Sequence, residues 1–179
     1  LVYLDGDNNL ESAAITDFLE MSAVGSTDEV NIVVQMDRIS GYDSSFGGWT
    51  GVNRYLVSQG MEPTVAEAVL AGGEMNMGAA STLSGFINWG LQNYPANRYM
   101  LVLWDHGGNW GGVCVDDTSS YDILTPNELA TAFATVRATH PGFTFDVIGF
   151  DACVMSSLEV YYEIYGYTDY FIASQLNEP

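Results

Sequence analysis

Five short apolar runs recur along this sequence, at residues 1–4, 30–36, 99–104, 145–150 and 170–173, and most of the gaps between them carry helical spacing. Uninterrupted runs of this length suit strands buried on both faces, since a strand with one wet face would alternate apolar and polar residues. Strands alternating with helices predict an α/β domain: three layers around a mostly parallel central sheet. Asn8 or Asn9 is placed to cap a helix that carries Leu10, Ala14, Phe18 and Met21 on one face. A second helix is predicted over residues 80–94, ending before Pro95. A third starts at Pro126 after Thr125 and runs to Ala138. A fourth is expected directly after Asp151, carrying Val154, Leu158, Tyr161 and Tyr162. The stretch GYDSSFGGWTGVNRYLVSQG breaks the rhythm and reads as a hairpin or an extra short strand. Neither an internal repeat nor a low-complexity linker interrupts the 179 residues. The opening LVYLD, with no initiator Met or charged leader, and the closing SQLNEP, just after an apolar run, read as a piece of a longer chain whose later strands are missing.

Charge narrows the function. There is no lysine, and four arginines (Arg38, Arg54, Arg98 and Arg137) face 23 acidic residues, for a net charge of −19. Nucleic acid and anionic membranes both need a positive footprint, so neither is an expected partner. The acidic surface suits a salty or extracellular setting, and it attracts cationic substrates or calcium. No apolar run is long enough to cross a bilayer. Two cysteines, Cys114 and Cys153, do not make a disulfide scaffold.

In an open α/β sheet, ligands bind beyond the carboxyl ends of the strands. Three polar segments fall there: DGDNN after the first run, DHGG after the run at 99–104, and DAC after the run at 145–150. Adjacent parallel strands bring such ends together, which would set His106 beside Cys153. A thiol at the start of a helix is biased toward thiolate. A neighbouring imidazole takes its proton and later supplies one to a leaving amine. Gly107 lets backbone approach closely, so the Gly107 and Cys153 amides are candidates for an oxyanion hole, with Asp105 anchoring the loop. Plainer roles compete for these residues. His106 can be a loop residue, Cys153 and Cys114 small buried side chains, and His140 a surface turn. A zinc site from His106, Cys114 and Cys153 lacks a fourth ligand and the usual close ligand pairs. Asp5 and Asp7 imitate the start of a calcium loop, but an EF-hand wants glycine and glutamate where Leu10 and Thr16 stand, so helix capping accounts for them better. Most of the tryptophans belong to the core, although Trp110 is placed to wall a cleft.

The segments YLDGDNNLE, VNIVVQMDR, GEMNMG, LVLWDHGGNWGGVCVDDTS, LTPNELATAF and VIGFDACVMSSLEVYYE run in order along nearly the whole chain. In this they resemble the clostripain family of cysteine peptidases, which shares a clan with caspases, gingipains and legumains. The resemblance implies a caspase-like fold, with residues 1–179 as one peptidase domain, the N-terminal, dyad-bearing part of a larger catalytic domain. It implies His106 and Cys153 as catalytic dyad and cleavage of polypeptides after basic residues, with Asp151 in the S1 pocket. Arginine should be preferred over lysine, because its planar fork meets a carboxylate through two hydrogen bonds. A second acidic pocket residue is expected to lie in the missing part. Some relatives cleave themselves at a basic residue between the dyad members; here residues 107–125 contain no Lys or Arg. The sequence requires no cofactor, but the resemblance allows calcium, with Asp116 and Asp117 as candidate ligands. A secreted or cell-surface location is expected. The rival reading is a non-catalytic interaction module that keeps the fold and uses its acidic surface for assembly.

Overall fold

The computed structural model describes residues 1–178. In chain order the elements are β1 (Val2–Gly6), α1 (Glu11–Val24), β2 (Val33–Arg38), β3 (Gly51–Leu56), β4 (Leu70–Gly73), α2 (Ala80–Asn93), β5 (Met100–Trp104), β6 (Val113–Asp116), β7 (Asp122–Leu124), α3 (Pro126–Thr139), β8 (Phe145–Asp151), α4 (Leu158–Ile164) and β9 (Thr168–Ile172). Seven strands form one sheet in the order β4-β3-β2-β1-β5-β8-β9, and β6 and β7 form a separate hairpin. β2, β1, β5, β8 and β9 run parallel. β3 and β4 extend one edge antiparallel. This is the α/β architecture with a mostly parallel sheet that the apolar runs predict.

The central strands β1, β2 and β5 each serve two cores, whereas β8 and β9 contribute to one. Successive strand residues point to opposite faces, so Tyr3 packs among residues of α2, α3 and α4 while Leu4 packs against α1. Both side chains are fully buried. Phe18 of α1 meets Tyr55 of β3 edge-on at 5.0 Å between ring centroids. Burying a side chain such as Phe18 contributes about 1.5–3 kcal/mol. Among the described residues, no helix is long and apolar enough to cross a membrane.

Charged residues inside strands explain where the sequence reading stops short. β2 continues past Met36 through Asp37 and Arg38, both fully buried. Arg38 Nε donates to Glu11 Oε1 at 2.7 Å, and its other nitrogens donate to the Ser45 and Asp43 carbonyls. Removing one partner of such a buried pair costs about 3–5 kcal/mol. In β3, Arg54 donates to Gln35 Oε1 and lies 4.8 Å over the Trp89 ring. The interrupted stretch is thus β3, as an extra strand, while β4 has no apolar run of its own to announce it.

Two helix starts differ from expectation. α3 begins as the sequence indicates, with Thr125 and Glu128 forming a reciprocal capping box. α1, however, begins at Glu11 with no side-chain cap. Asn8 instead bridges loops: its Oδ1 accepts from the Leu10 N–H, while its Nδ2 donates to Asp105 Oδ1 and to the Val115 carbonyl. The fourth helix does not follow Asp151 directly. Val154 takes a positive φ of 54°, and the Val154 and Ser156 N–H groups donate to the Leu176 and Ser174 carbonyls. Helical geometry therefore starts only at Leu158, after the Ser157 cap.

Candidate active site

The register of β5 and β8 pairs Trp104 with Asp151. His106 and Cys153 each lie two residues farther on, so they occupy equivalent positions beyond neighbouring parallel strands. The Asp105 N–H still reaches the Asp151 carbonyl at 3.3 Å. A cleft of about 310 Å³ opens at these strand ends, and both His106 and Cys153 line it, with Trp104, Asp151, Asp17 and Glu178 among its walls. A larger depression of about 400 Å³ at the opposite, amino ends of the strands contains neither residue.

Both candidate groups are held by neighbours. His106 Nε2 lies 2.8 Å from Asn9 Oδ1. The Glu178 N–H donates to Cys153 Sγ at 3.3 Å. Cys153 sits in the turn between β8 and α4 rather than at a helix N-terminus, which removes the helix dipole as a source of thiolate. Cys114 is a separate, fully buried and free thiol, raised well above its usual pKa by burial and then by Asp5 and Asp105.

Gly107 explains the glycines after His106. A Cβ on Gly107 would fall 2.1 Å from the Cys153 carbonyl oxygen and 2.9 Å from the Cys153 nitrogen. Only a residue without a side chain lets these two backbones touch. The same segment bridges to Val113, the first residue of β6, and the Gly108 N–H donates to the Gly112 carbonyl. Asp105 accepts from Asn8 Nδ2 and from the Val115 N–H, which fastens the loop to β6 and to the turn after β1. Burial raises its carboxyl to about 7, against the opposing effect of those hydrogen bonds.

Acidic groups also line the cleft. Glu178 has its carboxyl raised first by burial and then by Asp151 beside it. Asp17 accepts from the Trp104 indole N–H at 2.6 Å, and burial raises its carboxyl. Trp110 does not line this cleft; it lies three-quarters exposed, in a shallow depression with Pro126 and Glu159. Asp116 groups with Asp7, Asp37 and Glu74, a set that does not include Asp117. Asp7 accepts from the Thr118 N–H and hydroxyl, so it serves this group rather than capping a helix.

Sequence reasoning missed Asn9 and Glu178 as neighbours of the dyad candidates. The strand-end rule did flag the DGDNN turn, though not which asparagine reaches the histidine. Nothing local distinguishes Glu178, which arrives by the chain folding back along residues 174–178.

The clostripain-family model matches residues 2–179. The chain belongs to the clostripain family. Clostripain from Hathewaya histolytica is 25% identical over 189 residues, covering 91% of this chain and 35% of that protein. Among solved structures, an inactive zymogen C11 protease from Parabacteroides distasonis is 26% identical with a TM-score of 0.73. A secreted C11 cysteine protease from Bacteroides thetaiotaomicron, solved with an irreversible peptide inhibitor, is 23% identical with a TM-score of 0.77. Each match covers 99% of this chain and 48% of the solved one. The chain thus spans about a third of clostripain and about half of these two structures. Within that span the clostripain-family fold carries both strand ends that meet at the cleft.

Proposed function

We propose that this chain is the dyad-bearing part of a cysteine endopeptidase that cleaves polypeptides after basic residues, arginine ahead of lysine. One observation carries the reading: His106 and Cys153, at matching positions beyond β5 and β8, line a single cleft with Asp151. Membership of the clostripain family supports the same class of chemistry.

The mechanism follows from the positions. His106 accepts the thiol proton of Cys153, and the thiolate sulfur attacks the scissile carbonyl carbon. The N–H groups of Gly107 and Cys153 donate to the resulting oxyanion, which is why the two backbones must touch. His106 then protonates the leaving amine, and water cleaves the thioester to release the acid and restore the thiol. Asp151, with Glu178 beside it, offers carboxylates to a P1 guanidinium, whose burial without a partner would be costly. The Glu178 N–H donates to the Cys153 sulfur, which keeps this carboxylate beside the nucleophile. A secreted or cell-surface location fits the acidic composition and the description of the Bacteroides relative as secreted.

A thiol-directed peptidyl probe with arginine at P1 tests the reading. It should label Cys153 in the full-length protein, and labelling should be lost in His106→Ala. Equal labelling in that variant, or none in the parent under conditions that hydrolyse an arginyl substrate, would overturn the dyad. A non-catalytic interaction module predicts neither labelling nor hydrolysis.

A further inference from the structure

Asp7, Asp37, Glu74 and Asp116 come from four separate segments: the turn after β1, β2, the residue after β4, and the end of β6. Each brings a carboxylate oxygen to within 4.8 Å of the other three. Asp7, Asp37 and Asp116 are fully buried, and Glu74 forms the open side. Asp37 Oδ1 accepts from the Arg38 N–H, but its Oδ2 is buried with no partner. Thr118 adds a second deficit. Its hydroxyl carries one proton yet faces Asp7 Oδ2 at 2.6 Å, Glu74 Oε1 at 3.0 Å and Asp116 Oδ1 at 3.3 Å. It can donate to one of them at a time. Arg38, the nearby base, spends its guanidinium on Glu11, Asp43 and Ser45. Among the described residues, four carboxylates thus converge without a compensating charge, an arrangement that burial makes expensive.

We infer that Asp7, Asp37, Glu74 and Asp116 bind one divalent cation of calcium's size. The donors are all hard oxygens, and four carboxylates in one cage suit calcium, whereas magnesium keeps several waters and takes one or two carboxylates. Asp7 adjoins Asn8 and Asn9, which hold Asp105 and His106, and Asp116 follows Val115, which Asp105 also holds. An ion at this site would fasten the β1 turn to β6 on either side of the His106 loop. The inference stands on these carboxylates alone and is independent of the peptidase reading.

Calorimetric titration of the EDTA-treated full-length protein with calcium or magnesium chloride tests it, with Asp37→Asn and Glu74→Gln as variants. Calcium should bind at one ion per chain with at least tenfold higher affinity than magnesium, and should raise the unfolding temperature. It should also slow chymotryptic cleavage after the exposed Tyr121, between β6 and β7. Each variant should lose at least tenfold in calcium affinity. Glu74→Gln, on the open side, decides the matter if Asp37→Asn fails to fold. Absence of saturable calcium binding in the parent, or undiminished affinity in Glu74→Gln, would overturn the site, and equal affinity for magnesium would overturn the choice of ion.

Discussion

His106 Nε2 lies 2.8 Å from Asn9 Oδ1. An amide oxygen can only accept, so the proton of this bond belongs to Nε2, and Nδ1 is left as the basic nitrogen. Asn9 therefore selects a tautomer and a ring orientation for the imidazole.

Replacing it should show both effects. Asn9→Ala should lower kcat roughly ten- to a hundredfold, the range expected when a reacting group is misplaced, with little change in KM. Asn9→Asp keeps the acceptor and adds a charge that favours imidazolium, so the acidic limb of kcat/KM should move to higher pH. An unchanged kcat in Asn9→Ala, with substrate hydrolysis otherwise intact, would separate Asn9 from the histidine's role.

Gly107 offers a sharper steric test. Gly107→Ala adds a single carbon at 2.1 Å from the Cys153 carbonyl oxygen, so the Cys153 turn must move. Hydrolysis should fall at least a hundredfold, the scale of losing an oxyanion donor. The unfolding temperature should also drop. Gly108→Ala is the control, because its added carbon meets nothing closer than 3.5 Å. Its activity should stay within a few-fold of the parent.

In the proposed function, substrate choice depends on Asp151. Asp151→Asn should reduce kcat/KM for an arginyl substrate by about 2 kcal/mol or more, roughly thirtyfold, as for loss of one partner in a desolvated charge pair. A P1 scan of parent and variant measures it. The remaining preference for arginine should fall further in the double variant with Glu178→Gln. The net charge of −19 should add a salt-sensitive contribution to the association rate with basic peptides.

Stability should respond to pH through Asp105. Its folded-state pKa is raised by burial to about 7 from an ordinary value of 3.8. Between those values the folded chain holds a proton that the unfolded chain has released, so stability decreases as pH rises through the window. Burial raises Asp5 and Asp37 in the same direction. In EDTA, the unfolding temperature should therefore be higher at pH 5.5 than at pH 8. Asp105→Asn should flatten that slope, although its amide sets one donor against the Val115 N–H or Asn8 and lowers stability at low pH.

The strands and crossovers were legible because burial on both faces writes continuous apolar runs, and α3 because Thr125, Pro126 and Glu128 fill a local capping pattern. What escaped depends on distant partners. Arg38 reads as a strand end until Glu11, 27 positions away, is seen to pair with it. Leu158 and Tyr161 carry a helical spacing that extends back toward Asp151, but the positive φ at Val154 and the returning 174–176 carbonyls stop the helix short. His106 and Cys153 were legible as strand-end residues, whereas Asn9 and Glu178 come to them only through folding.

The placement of the arginines has a consequence for self-digestion. With the arginine specificity proposed above, each copy of the peptidase is also a candidate substrate, and these 179 residues offer few sites to cut. They include no lysine, and Arg38 and Arg54 lie buried within strands of the central sheet. Arg137 is tied down by the Phe143 and Gly166 carbonyls and stacks over Tyr167. Arg98, with a side chain 88% exposed, is the one arginine in open reach among the described residues. Within these 179 residues the bond after Arg98, ahead of β5, is therefore the one most open to such cleavage, and Arg98→Gln would remove it.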